Sequence, residues 1–382
     1  MISNNEYDAL LNLLCAELKN QKSELVISNE AILNLSSLAK KQALHPIIAT
    51  QLLRYDMLDK QDRAMLTRVQ LMAVHRYEQL VLVEKAVCAI LDEFQIPYVL
   101  LKGALISQYY PQPWMRTRSD IDILVQEINI EKALEALVNR LGYSIIVRDY
   151  HDVALRSKNG MLLELHFSLL ERDEKLDKVL SKVWEYTTPV NNGSYRYEMS
   201  GEFFAFHQLA HMAYHFLNGG CGIRFLIDLW LVHQNHPFDH TKLKTLCDES
   251  DIFSFYENML KVCGYLFEDK SPEPLVLQIL EFLFSGSVFG ARNNLIAVNQ
   301  NRAGGKNKYF FYRIWWSYDD LKEQYPGLRG KKLLLPFYQV RRWLRLLRPG
   351  KIKQYAKELK INSEMNPREV ADIAEFIKNV GL

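Results

Sequence analysis

The sequence predicts an α+β protein in which a mixed β-sheet core with flanking helices is framed by a helical N-terminal region and a helical C-terminal domain. Three observations carry this reading. Apolar residues recur at three- and four-residue spacing from about 5 to 95 and again beyond 200. Between those stretches the period shortens to two. With 382 residues, 48% hydrophobic and 24% charged, the chain can bury two or three cores of ordinary domain size.

Along the N-terminal region, assigned to 1–95, Leu10, Leu13, Leu14 and Leu18, and later Leu80, Val83, Val87, Ile90 and Leu91, mark helical faces. The pattern breaks at Ile96-Pro97-Tyr98-Val99-Leu100-Leu101, a β-type run entered through proline and left through Lys102-Gly103. Helical character resumes over 104–110, so strand, tight turn and helix are expected. A polar stretch, 111–119, leads to Asp120-Ile121-Asp122-Ile123-Leu124-Val125, whose alternation of acid and aliphatic puts both carboxylates on one face of a strand. Helical spacing returns over 128–141 and ends at Gly142, a natural C-cap. Strands are expected at 143–148, 152–157 and 161–167, with Asn159-Gly160 as the turn of the last hairpin. The core is thus 96–200. The C-terminal domain, 201–382, is expected to hold helices over 202–217, 223–233, 241–266 and 273–284.

Charge is near balance overall, 47 Lys and Arg against 45 Asp and Glu, which argues against a nucleic-acid coat or an acidic tail. The balance hides a basic segment: 301–360 holds 16 cations and 4 anions. Within it 339–348 is amphipathic, with Trp343 and leucines among arginines, which fits a solvated face, an anionic acceptor platform or a membrane-surface helix. The five cysteines are widely spaced and include no CxxC pair, which favours a reducing compartment over a disulfide framework. The N-terminus lacks a basic leader followed by a long apolar core, and no run of about 18 apolar residues occurs, so a cytoplasmic protein without a transmembrane segment is expected.

The chemistry concentrates around Asp120-x-Asp122, preceded by Lys102-Gly103 and followed by Glu164 in another expected strand. If the strands neighbour, three acids converge. Clustered carboxylates repel unless a cation lies among them, and Mg²⁺, or Mn²⁺ in its place, is the ion that also grips phosphate oxygens. A helix opening after Gly103 would offer backbone N–H groups to a triphosphate.

These residues resemble the polymerase-β-like nucleotidyltransferase superfamily and, within it, the uncharacterised bacterial nucleotidyltransferase family. The resemblance rests on Leu100-Leu101-Lys102-Gly103, on RTRSDIDILV from Arg116 to Val125, on Glu164-Leu165-His166, and on a helical HxxxH with a following Asp near 211–228. It implies that Asp120, Asp122 and Glu164 are catalytic metal ligands. In the wider superfamily Gly103 would be followed by serine or glycine; here Ala104 follows, and Gly103 precedes Asp120 by 17 residues. Lys102, Gly103, Arg116 and Arg118 are therefore the expected triphosphate contacts.

The expected function is Mg²⁺-dependent transfer of an NMP from an NTP to an acceptor hydroxyl or phosphate. The acceptor is unidentified; an anionic one suits the basic segment, and nucleic acid is not favoured. Phosphoryl or pyrophosphoryl transfer on the same fold, or a spent site that binds nucleotide or a partner, are the alternatives. His166 lies on the strand face of Glu164 and is expected to contact substrate or support a ligand. His207, His211 and His215 share a helical face, so His211 and His215 are candidates for substrate binding, a domain contact or zinc. Arg224 and Asp228, four apart, are read as a local ion pair.

Overall fold

The computed structural model describes residues 4–56, 58–286, 291–346 and 351–382. Four helices open the chain: α1 (Asn4–Leu18), α2 (Asn29–Lys41), α3 (His45–Leu53) and α4 (Lys60–Glu93). The core follows as β1 (Tyr98–Leu100), α5 (Gly103–Ile106), β2 (Asp120–Val125), α6 (Ile130–Leu141), β3 (Ser144–Arg148), β4 (Asp152–Arg156), β5 (Leu162–His166), α7 (Glu174–Leu180), β6 (Thr187–Pro189) and β7 (Arg196–Met199). Helices then run through α8 (Gly201–Leu217), α9 (Ile223–Asn235), α10 (His240–Glu249), α11 (Phe253–Phe267), α12 (Pro274–Phe284), α13 (Arg292–Ala303), α14 (Lys306–Ile314), α15 (Tyr318–Gln324), α16 (Leu335–Leu346), α17 (Lys351–Glu364) and α18 (Pro367–Val380).

The seven strands form one mixed sheet in the order β3-β4-β5-β2-β1-β7-β6. β2 runs antiparallel to β1 and parallel to β5, which it reaches by a crossover through α6, β3 and β4. Period-two patterning sorts the strand residues. Ile121, Ile123, Leu163 and Leu165 point to one face, where α4 and α6 cover them. Each is almost fully buried, worth roughly 1.5–3 kcal/mol by transfer. Val99, Leu101 and Leu124 point to the other face and join a core built with α1–α3 and α8–α12. Asp120, Asp122, Glu164 and His166 share that second face. Helices from both ends of the chain thus pack into one core beside the acids.

Local chemistry accounts for most boundaries. Ser28 caps α2, Asp59 caps α4 and Asp239 caps α10 through side-chain oxygens. α6 ends at Gly142 in the left-handed conformation, as expected from its sequence. Gly160 (φ +81°) turns the β4–β5 hairpin.

Three expectations need correction. The helix expected over 104–110 is α5 followed by a 3₁₀ turn over Ser107–Tyr109. The single helix expected over 241–266 is two, α10 and α11, because Asp251 adopts φ +55° and ends the first. β6 and β7 were not foreseen: they are three and four residues long, so even the alternation of Tyr197 and Met199 with Arg196 and Glu198 is too short to mark a strand, and β7 pairs parallel with β1. In α16, Arg342 is buried and donates to the backbone carbonyl of Ile314 at 2.9 Å, while Phe337, Val340 and Leu344 face outward. Leu347 and Arg348, the end of the expected amphipathic run, lie outside the described residues. No described helix is long and apolar enough to cross a membrane.

Candidate active site

The parallel pairing of β2 with β5 sets Asp122 directly beside Glu164, and Leu124 beside His166. Asp120 lies two residues before Asp122 on the same face. Ligand atoms of Asp122, Glu164 and His166 all fall within 4.8 Å of one another, forming the one metal-competent cluster among the described residues. His166 Nε2 is 3.4 Å from Asp122 Oδ1 and 3.7 Å from Glu164 Oε2. Its buried Nδ1 has no hydrogen-bond partner among the described residues. A proton on Nε2 lets His166 donate to Asp122.

The acids titrate unequally. Burial and the charges of Asp122 and Asp120 push Glu164 up to about 7. Burial and Asp122 raise Asp120 as well. Burial also opposes the Asp122 carboxylate, but the hydrogen bond and charge of His166, with Lys102 behind them, outweigh it and hold Asp122 well below its ordinary value. One carboxylate is thus firmly ionised and two others crowd it. Hard oxygen donors with unrelieved negative charge are what Mg²⁺ and Mn²⁺ take, and the carboxylates of Asp122 and Glu164 supply them. The donor set therefore fits a divalent cation.

A cleft of about 360 Å³ opens over the acids, bordered by Lys102, Gly103, His211, His215 and Arg224. Lys102 has φ +29°, a conformation costing a non-glycine residue about 1–3 kcal/mol, and its Nζ lies 3.1 Å from His211 Nδ1 and 3.2 Å from Nε2. His211 Nδ1 is 2.9 Å from Glu171 Oε1, and its Nε2 is 3.1 Å from His215 Nε2. Burial and the charge of Lys102 hold His211 far below its ordinary value, so it is neutral. Burial pushes Glu171 up to about 7, against the pull of Lys102. His207 is also buried and neutral, away from the cleft lining. His207, His211 and His215 belong to no metal-competent group among the described residues.

The arginines divide. Arg116 Nε and Nη2 donate to Asp228 Oδ1 and Oδ2 at 2.8 and 2.7 Å, and Tyr110 donates to Oδ1 at 2.7 Å. Asp228 therefore pairs across the chain and not with Arg224. Arg118 pairs with Glu84 at 2.9 Å. Both arginines still border the cleft, and they explain Gly103: a Cβ there would lie 3.0 Å from Arg118 Cδ and 3.1 Å from Arg116 Nη1. Arg224 donates to the Thr117 carbonyl at 3.0 Å and makes no ion pair among the described residues. Its charge acts on Asp120. Sequence reasoning missed Glu171, which lies on irregular chain after β5, and missed Arg224 as an available cation because Asp228 seemed to claim it.

The mixed sheet thus carries paired acids on one strand and a third on its parallel neighbour. The chain belongs to the family described as uncharacterised nucleotidyltransferase, whose family model matches residues 28–268. That span includes every residue of the cleft discussed above. No curated protein and no solved structure matches the chain.

Proposed function

We propose that the protein moves an NMP from an NTP to an acceptor hydroxyl or phosphate, using Mg²⁺ or Mn²⁺ held by Asp120, Asp122 and Glu164. The observation that carries this reading is the in-register pair Asp122 and Glu164 with Asp120 on the same face. When bound, the cation supplies charge neutralisation at the phosphates and favours the ionised nucleophile. His166 fixes the Asp122 carboxylate by donating to it. Lys102 and Arg224 meet the triphosphate, since neither has a carboxylate partner among the described residues. Arg116 and Arg118 frame the phosphate site from its wall, and Gly103 lets them approach.

His211 and His215 line the mouth of the cleft. With Glu171, His211 holds the Lys102 ammonium toward the acids. Glu164, with its pKa near 7, accepts the proton of a hydroxyl acceptor. The excess of cations in the sequence of 301–360 suits an anionic acceptor.

The test is incubation with each NTP labelled at the α-phosphate, Mg²⁺ and a cell extract. Label on an acceptor together with released pyrophosphate supports the reading. Transfer of a γ-label instead indicates phosphoryl transfer, and metal-dependent NTP binding without turnover indicates a spent site.

A further inference from the structure

A larger chamber, about 840 Å³, lies between the acid cleft and the N-terminal helices. Helix α4 creates it. Leu66 belongs to the core shared with α1–α3, whereas Leu80, Val87 and Leu91 belong to the core on the far face of the sheet. Between them, over 67–79, no residue is buried. The helix crosses a gap there, and Val69, Met72, Ala73 and Tyr77 line it opposite Ile48 and Trp114. Interiors are close-packed, and unfilled apolar walls forfeit dispersion contacts, so an apolar chamber of this size suits a ligand of matching character.

Two further observations define that ligand. The chamber runs into the acid cleft: Arg116, Thr117, Arg118, Ser119 and Arg224 line both, and Ser119 precedes Asp120 in the chain. The lining also includes five cations and no Asp or Glu. Arg116 and Arg118 are paired, but Lys40, Arg76 and Arg224 make no ion pair among the described residues. Wall residues Ser36, His45, Arg118 and Arg224 each carry a buried polar atom without a hydrogen-bond partner among the described residues.

We propose that this chamber binds the acceptor and that the acceptor is an amphiphilic anion. Its apolar body lies along Val69–Tyr77, and its phosphate or carboxylate head is held by Arg76 at the edge of the acid cluster, with Arg224, which lines both cavities, between that head and the triphosphate. The word acceptor rests on the nucleotidyl-transfer reading; the binding of such an anion does not. In that reaction a head-group oxygen bonds to the α-phosphorus while the α–β phosphoanhydride bond breaks and its electron pair leaves with pyrophosphate. An ionised head has no proton to lose.

Calorimetric titration of the full chain with decyl phosphate, decanoate, decanol, decyltrimethylammonium and inorganic phosphate, each below its micellar concentration, tests this. Decyl phosphate or decanoate should bind at least tenfold more tightly than the other three, and the stronger of the two identifies the head group. Ala73→Trp, which fills the chamber, should weaken that binding at least tenfold and leave Mg-ATP affinity unchanged. Arg76→Gln should erase the preference over decanol, which keeps the test open if the tryptophan variant does not fold. Equal binding of the alcohol or the cation, binding of none, or loss of Mg-ATP affinity alone in Ala73→Trp overturns the proposal. Tight decyl phosphate binding beside no binding of any NTP would leave the chamber standing and remove the nucleotidyl reading.

Discussion

Arg116 and Asp228 meet as a buried two-point fork, less than a tenth exposed on either side, although 112 residues separate them in the chain. The pair ties the loop entering β2 to α9, and Tyr110 fills a further acceptor position on the same carboxylate. Positions of Asp120 and Arg224 relative to each other depend on that tie.

Removing one partner of such a pair leaves a buried charge alone. Asp228→Ala should therefore destabilise the fold by about 3–5 kcal/mol in urea denaturation, whereas the double change Arg116→Met with Asp228→Leu should cost much less. Similar losses for the single and double variants would show that packing, not charge, holds the loop.

Glu171 gives a pH signature. Its folded pKa, about 7, lies above the ordinary 4.5, so between these values the native state keeps a proton that the unfolded state has lost. The contribution of Glu171 to stability should therefore fall as pH rises from 4.5 to 7 and level off beyond. Glu171→Gln removes that slope, and the variant should gain on the order of 2 kcal/mol relative to the wild type between pH 4.5 and 7.5. Parallel stability curves for the two proteins would contradict the assignment.

The cations should separate by role. Lys102→Met and Arg224→Gln each remove a charge from the cleft without breaking an ion pair, and should weaken Mg-ATP binding by about tenfold, roughly 1.4 kcal/mol, with little change in Tm. Arg116→Gln should lower Tm first. Calorimetry and thermal melting on the same samples check both, and a Tm loss for Lys102→Met as large as that for Arg116→Gln would make Lys102 structural.

Much of the site was legible because it is local. The alternation Asp120-Ile121-Asp122-Ile123 and the Glu164-Leu165-His166 run are strand patterns, and two strands buried on one face leave their acids on the other. What could not be read is long-range. Asp228 has a plausible partner four residues away, and only the packing of α9 on the pre-β2 loop selects Arg116 instead. Glu171 has no periodic context, and its role follows from meeting His211, 40 residues on. The strands β6 and β7 are three and four residues long, too short for a pattern to mark them, so the pairing of β7 with β1 and of β6 with β7 is decided by the sheet and not by propensity. The chamber beside α4 arises from two cores that share one helix, which no window of sequence displays.

The proposed function requires the acids of β2 and β5 to recruit a divalent cation with the nucleotide. Its most direct test is calorimetric titration of ATP, CTP, GTP and UTP into wild type, Asp122→Asn and Glu164→Gln, each with and without Mn²⁺. At least one NTP should bind the wild type only with the metal, because a triphosphate and the acid cluster repel without it, and both variants should lose at least tenfold in that affinity while keeping their fold. Equal affinity with and without metal, or unchanged affinity in both variants, would contradict the account.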